Sequence, residues 1–233
     1  MTFTYNTISF TLMDGIGHLV MNQPPSNRMT IEFFDELTLL VNQFRQMKEL
    51  KAMIISGAGR HFSSGADLDE LLGLVDLGTG LDTTRNRLRM NEFINRNYEA
   101  FLFFKKTEIP VISAIRGVCL GSAFELSLLS HFRFCGEDAV LGLPETTFNL
   151  LPGVGGISGM VELVVKAVAM ELILSGITFP AEDALKLKLV DRIIPKREVV
   201  LHAFDFAKAV MNNYHKGKKD LLLQKLEQTI LPS

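Results

Sequence analysis

Cysteine is scarce in this chain. Cys119 and Cys135 are the only two, without a Cys-x-x-Cys pair and without a histidine near enough to suggest zinc spacing. That excludes a disulfide framework and a structural zinc module, and both residues are expected to be buried thiols of a reducing compartment. A surplus of charge of one sign is missing as well. The formal net charge is -2, and no basic stripe is available to neutralise phosphates, so no nucleic-acid partner is expected. Nowhere do eighteen apolar residues run without a charge, so no membrane span is expected. Met1–Asn6 has neither a basic segment nor a long apolar run, and no secretory signal is visible there. Together these absences point to a cytoplasmic location. Gly153-Val-Gly-Gly156 lacks the lysine and the spacing of a phosphate or dinucleotide loop, and reads as close backbone packing before a helix.

What is present is apolar material in alternating patterns. With 47% hydrophobic residues over 233 positions, the chain can bury one sizeable core. Ile8–Leu12 and Gly17–Met21 read as a hairpin turning at Asp14-Gly15. Asn22–Asn27 is a loop, after which Thr30 is placed to cap an amphipathic helix reaching about Met47. Ala52–Ser56, Val111–Ile115 and Phe132–Cys135 read as buried strands, and Val190–Ile194 as a later one. Helices are expected from about Asp67, from Thr84 to Lys105, and from Val154 onward. Residues 76–84, rich in glycine and poor in apolar side chains, look mobile. The recurring order of strand, glycine turn and helix is a coarse β-β-α period and not an exact repeat. Pattern alone does not separate a spiral of such units from a doubly wound sheet.

Three stretches carry candidate chemistry: Ser63-Ser-Gly-Ala-Asp-Leu68, Gly121-Ser-Ala-Phe-Glu-Leu126 and Leu143-Pro-Glu145. The first two look like turns leading from a strand into a helix. Such a turn leaves the first N–H groups of the helix unpaired, with the positive end of the helix dipole behind them. Two such groups converging on one point would hold a developing oxyanion. Glu125 follows Ser122 by three residues, which puts its carboxylate on the same helix face one turn along. Each residue also has a bland explanation. Glu125 could be a buried ion-pair partner of Arg116 or Arg133, Glu145 a first-turn glutamate favoured by the dipole, and Ser122 an N-cap. Asp67 is expected to cap the following helix. His61 could serve as a base, but a lone loop histidine is more often locally hydrogen-bonded. His131, at the end of the Glu125 helix, is expected to be a structural cation on the dipole. Cys119 has no nearby base to make it a nucleophile. Lys216-Gly-Lys-Lys219 reads as a solvated charge run, with a phosphate contact as the alternative.

From about Ile8 to Pro195 the chain resembles the enoyl-CoA hydratase/isomerase, or crotonase, superfamily. The resemblance rests on the Ser-Gly-Ala-Asp stretch, the glutamate-bearing turn, and Leu141-Gly-Leu-Pro-Glu145 followed by Leu151-Pro-Gly-Val-Gly-Gly156. It implies an α/β fold, a crotonase-like spiral of β-β-α units over 1–195. A C-terminal helical tail over 196–233 is shorter than usual for the family. It further implies that the N–H groups of Ala66 and Ser122 form the oxyanion hole and that Glu125 and Glu145 are the catalytic pair. Coenzyme A would be held along Ser64, Ala66 and Leu68, with an acyl-CoA thioester as substrate. No metal and no cofactor beyond the CoA carried by the substrate is expected. Relatives with other chemistries often lack one glutamate, so retaining both points to hydration of a 2-enoyl thioester. A Δ3,Δ2-enoyl isomerase would need only Glu145. Asp69, standing where many relatives carry a basic residue, keeps a carrier-protein-linked dehydratase or decarboxylase open, and a non-catalytic assembly subunit is the remaining alternative. Val199, His202, Ala203, Phe206, Ala207 and Val210 form an apolar helical stripe, and Leu221–Leu223, Leu226 and Ile230 a second cluster. Such surface must be covered by the chain's own core or by a partner, and a trimer-based homo-oligomer is expected.

Overall fold

The computed structural model describes residues 1–73 and 83–214. The hairpin forms as the pattern predicts. Strand β1 (Thr2–Thr4) pairs with β2 (Ile8–Met13), which pairs with β3 (Ile16–Met21). Asp14 and Gly15 both take positive φ, as a two-residue turn that follows the strand twist requires. Helix α1 (Ile31–Phe44) begins where Thr30 accepts a hydrogen bond from the Phe33 N–H at 3.2 Å. It ends three residues earlier than its apolar pattern suggests, because the chain continues in i→i−3 turns, with the N–H of Met47 on the Phe44 carbonyl and that of Leu50 on the Met47 carbonyl. Strand β4 (Ala52–Gly57) is buried along its whole length. It is followed by α2 (Leu68–Gly73), α3 (Thr83–Lys106) and β5 (Val111–Ile115).

Next come β6 (Val118–Leu120), α4 (Ser122–Leu128), β7 (Phe132–Gly136) and β8 (Val140–Gly142). A 3₁₀ turn spans Pro144–Phe148, and then α5 (Gly156–Leu163) and α6 (Lys166–Ser175) follow. Strand β9 (Thr178–Pro180), α7 (Ala181–Lys186), β10 (Arg192–Ile194) and α8 (Val199–Tyr214) complete the order. The seven-stranded sheet runs β1-β2-β3-β4-β5-β7-β10, parallel from β3 onward. A second, three-stranded sheet runs β6-β8-β9. So β5-β6-α4 and β7-β8 with its 3₁₀ turn are successive units, each sending one strand into each sheet before turning into helix. This is the β-β-α period of the sequence made physical. The sequence pattern had placed neither β1 nor any strand of the small sheet.

The main core lies between one face of the large sheet and helices α1, α3 and α4, where Phe10, Phe33, Phe34, Phe101, Phe104 and Phe124 are fully buried. The opposite face is covered by α8. Val199, Ala203 and Ala207 sit on Ile16, Ile54, Ile112, Ala114 and Phe134, while Phe206 meets Phe132 and Phe134 edge-on at 4.7 and 5.1 Å between centroids. Val199, Ala203 and Ala207 of the tail's apolar stripe are therefore covered by the chain's own sheet, while His202, Phe206 and Val210 stay half-exposed. The cluster from Leu221 to Ile230, the Lys216–Lys219 run and most of the 76–84 segment lie outside the described residues. No helix among the described residues is long and apolar enough to cross a membrane.

Candidate active site

The two candidate turns lie side by side. Ser63 and Cys119 form a parallel bridge. The Ser63 N–H donates to the Val118 carbonyl at 3.0 Å, and the Leu120 N–H to the Ser63 carbonyl at 3.2 Å. Beyond the bridge, Gly65 lies against Leu120 and Gly121. Gly65 must be glycine there. Its φ is +90, and a Cβ would stand 2.5 Å from the Leu120 carbonyl oxygen. On its other side, Ala66 bridges Met29 through the Gly65 carbonyl and the Asp67 N–H. A parallel bridge of that form turns the N–H of Ala66 itself away from Met29, towards the side on which α4 begins.

Helix α4 opens with Ser122 as its first residue. The cap position belongs to Gly121 (φ 54, ψ −131), and no side chain caps the helix. The reading of Ser122 as an N-cap is therefore corrected. The sharp exit from β6 needs a backbone that only glycine enters easily, which displaces the cap by one residue. The N-terminal N–H groups of α4 are left without a side-chain partner, with the helix dipole behind them.

Glu125 projects from the first turn of α4 and is only 1% exposed. Neither suggested ion pair forms. Arg116 donates to the Gly57 carbonyl, and Arg133 engages Ser127, Ser130 and Asp191. Instead, Glu125 Oε2 accepts the N–H groups of Val154 at 2.9 Å and Gly156 at 2.6 Å. The Gly153–Gly156 loop, read from sequence as packing only, is thus a cradle for this carboxyl. Nothing in its composition ties it to a residue about thirty positions earlier. Burial, reinforced by the nearby Glu145, pushes the Glu125 carboxyl up to about 8, against the opposing pull of the loop N–H groups.

Glu145 lies in the 3₁₀ turn that follows β8. The Gly121 N–H donates to the Gly142 carbonyl at 3.0 Å, which ties the start of α4 to the end of β8. Glu145 Oε1 consequently stands 3.1 Å from where a side chain on Gly121 would begin. Its Oε2 is buried and has no hydrogen-bond partner among the described residues. Burial pushes this carboxyl up to about 7. Two carboxyls, one held and one unheld, thus flank the open end of α4.

Ser64, Ala66 and Leu68 follow one another along the rim of the first turn, all half-buried, and the Ser64 N–H donates to the Ser26 carbonyl at 2.9 Å. Asp67 caps α2 as expected, its Oδ1 accepting from the N–H groups of Asp69 at 3.1 Å and Glu70 at 3.3 Å. Its other oxygen pairs with Arg28 at 2.9 Å, a rim cation that the sequence reading did not single out. His61 is structural, its Nδ1 accepting the Val118 N–H at 3.1 Å. His131 likewise accepts the Val111 N–H, and burial together with Arg133 lowers its pKa, so it is a neutral acceptor and not a cation on the dipole. Burial pushes the thiols of Cys119 and Cys135 well above their usual range, leaving them inert.

A winding in which each β-β unit feeds one strand to each of two sheets before its helix, with main-chain donors where two turns abut, is the crotonase architecture. The family model for enoyl-CoA hydratase/isomerase matches residues 11–227, and the chain belongs to that family. An enoyl-CoA hydratase from Bacillus anthracis is 28% identical with a TM-score of 0.76, the match covering 88% of this chain and 76% of that one. A candidate enoyl-CoA hydratase from Thermobifida fusca, solved in complex with CoA, is 27% identical with a TM-score of 0.79, covering 94% of this chain and 85% of that one. The same protein in complex with acetoacetyl-CoA matches at 27% identity and a TM-score of 0.79, over 94% and 87% of the two chains.

Proposed function

We propose that this protein is an enoyl-CoA hydratase that adds water syn across a 2-enoyl thioester. The observation that carries the reading is the pair of raised carboxyls, the buried Glu125 and the half-buried Glu145, at the uncapped start of α4. The thioester oxygen lies between the N–H groups of Ala66 and Ser122, which polarise the double bond and stabilise the enolate, each worth on the order of 3 kcal/mol. A water is shared by the two carboxyls. The ionised one removes its proton as the oxygen attacks Cβ, and the protonated one delivers a proton to Cα. Two such groups in an apolar pocket do not both ionise cheaply, so near neutrality one proton shared between them supplies both forms. Coenzyme A enters as part of the substrate, along Ser64, Ala66 and Leu68, and the reaction needs no further cofactor and no metal.

One observation favours a second reading. Glu145 Oε2 has no hydrogen-bond partner among the described residues, whereas Glu125 Oε2 is held by two N–H groups. A Δ3,Δ2-enoyl isomerase would use that freer carboxyl alone to move a proton between carbons. Assays of crotonyl-CoA and a 3-enoyl-CoA side by side decide. Loss of the conjugated absorbance of crotonyl-CoA supports hydration, and its appearance from the 3-enoyl substrate alone supports isomerisation. We further propose a cytoplasmic, trimer-based homo-oligomer, for which light scattering at micromolar concentration is the test. A monomer would refute the assembly without touching the chemistry.

A further inference from the structure

Arg133 is a buried cation in an unusual setting. It is 4% exposed, yet its carboxylate partner, Asp191, has a side chain 38% exposed and stands 3.5 Å from the guanidinium. Asp191 is occupied chiefly with the backbone, its Oδ2 accepting the Arg133 N–H at 2.7 Å while its own N–H donates to the Arg133 carbonyl at 2.8 Å. Such a pairing is poor compensation for burying a guanidinium. The remaining partners are the carbonyls of Ser127 and Ser130, at and just beyond the C-terminal end of α4, where the helix dipole is negative. A second tie reinforces the first. Ser130 Oγ bonds Ser113 Oγ at 2.8 Å and reaches the Leu126 carbonyl at 3.3 Å, and Ser113 stands opposite Arg133 in the β5–β7 register. The C-terminal end of this short helix is thus fastened to the large sheet, while Ser122 opens it about 9 Å away at the helical rise and Glu125 stands midway between.

We propose that Arg133 is a positioning residue for the active site. By holding the Ser130 carbonyl just past α4, and more weakly the Ser127 carbonyl in its last turn, it fixes the helix along its axis, and so fixes where the Ser122 N–H and the Glu125 carboxyl meet the substrate. The inference rests on the reading of those two groups as working parts of the site, and it adds a residue outside the motifs that carry them. The charged groups facing Arg133 are Asp191 and, more weakly, His131, which is neutral, so the clamp does not depend on pH near neutrality.

The test compares Arg133→Met and Arg133→Lys with Arg192→Met. Arg192 lies over Phe134 at 5.2 Å and Phe206 at 5.3 Å on the α8 side of the same sheet, remote from α4. For Arg133→Met, kcat on crotonyl-CoA should fall about 10- to 100-fold, the scale of a small misplacement of reacting groups, with KM changed by less than about threefold. The backbone amide resonances of Ser122 and Glu125 should move, and millimolar guanidinium should restore part of the rate. Arg133→Lys should fall between. Arg192→Met should lower the melting temperature while leaving kcat and both resonances unchanged. A folded Arg133→Met protein with wild-type kcat and unmoved Ser122 and Glu125 resonances overturns the proposal, as does a loss confined to KM. If Arg133→Met does not fold, Asp191→Asn is read by the same criteria. If the wild-type protein turns over no enoyl thioester, the hydratase reading falls by itself, and the two amide resonances alone decide whether Arg133 positions α4.

Discussion

Helices α1 and α4 both follow a turn, and they treat their first N–H groups in opposite ways. In α1 the Phe33 N–H is taken by Thr30 Oγ1, and the Ile31 N–H by Glu70 Oε2 at 2.7 Å. In α4 glycine holds the cap position, no side chain reaches back, and two carboxyls lie close by. A helix start closed by side chains contributes stability. One left open gives that up and retains unpaired donors for something that binds. Helices α5, α6 and α7 also begin without a side-chain cap, so it is the two raised carboxyls beside α4 that mark its start as the candidate site.

Deleting a donor should break the contrast most severely. Ser122→Pro removes the N–H at the open start and should lower kcat by about 10²–10³-fold, whereas Ser122→Ala keeps it and should change the rate by less than about threefold. Steady-state assays on protein shown to be folded by circular dichroism check this. Equal damage from both variants would mean that the hydroxyl is the active group. Next in size are the carboxyls. Glu125→Gln and Glu145→Gln should each lower hydratase kcat by at least about 10²-fold, while any isomerase activity should survive Glu125→Gln. A near wild-type hydratase rate in either variant would remove the paired mechanism.

The same carboxyls set a pH dependence of stability. Both are pushed above the ordinary 4.5, to about 8 for Glu125 and about 7 for Glu145. Between those limits the folded chain holds protons that the unfolded chain releases. The stability linked to the pair is therefore fully present below about pH 4.5 and is lost as pH rises towards about 8. Urea unfolding at pH 5, 7 and 9 should show wild type weakening relative to Glu125→Gln, which should be the more stable by a few kcal/mol at pH 9. Parallel curves for the two proteins would show that Glu125 is already ionised in the fold. The smallest effect belongs to the closed helix. Thr30→Ala should lower stability by about 1 kcal/mol in the same unfolding experiment and leave kcat unchanged.

Local chemistry accounts for most of what the sequence shows. Asp14-Gly15, the Thr30 cap, the Asp67 cap and the long apolar strands are decided by residues within a few positions of one another, and each stands where its pattern puts it. Strands β6, β8 and β9 were not visible, because three residues carry no periodicity and their pairing is fixed by distant segments. The three motif stretches were legible, yet their convergence was not. It depends on the Ser63–Cys119 bridge and on the Gly121–Gly142 bond, and neither leaves a mark in composition. Long-range pairing also reassigned His131, Arg133 and the Gly153–Gly156 loop. Each holds something that is far away in sequence.

The parallel bridge between Ser63 and Cys119 has a consequence for how the site would look in a mutational scan. In the proposed mechanism the polarising groups at Ala66 and Ser122 are main-chain atoms, and the Ser63–Cys119 bridge joins the two strands that lead to them. Most replacements at those two positions alter only what hangs from the backbone and leave the donors where they are. A scan would therefore score the centre of the site as tolerant, proline apart, and would find its sensitive positions at Gly65, whose bareness lets the two strands approach, and at the two glutamates. On the proposed mechanism, chemistry held in the main chain would be hidden from side-chain variation, leaving the carboxyls free to change while the main-chain donors stay in place.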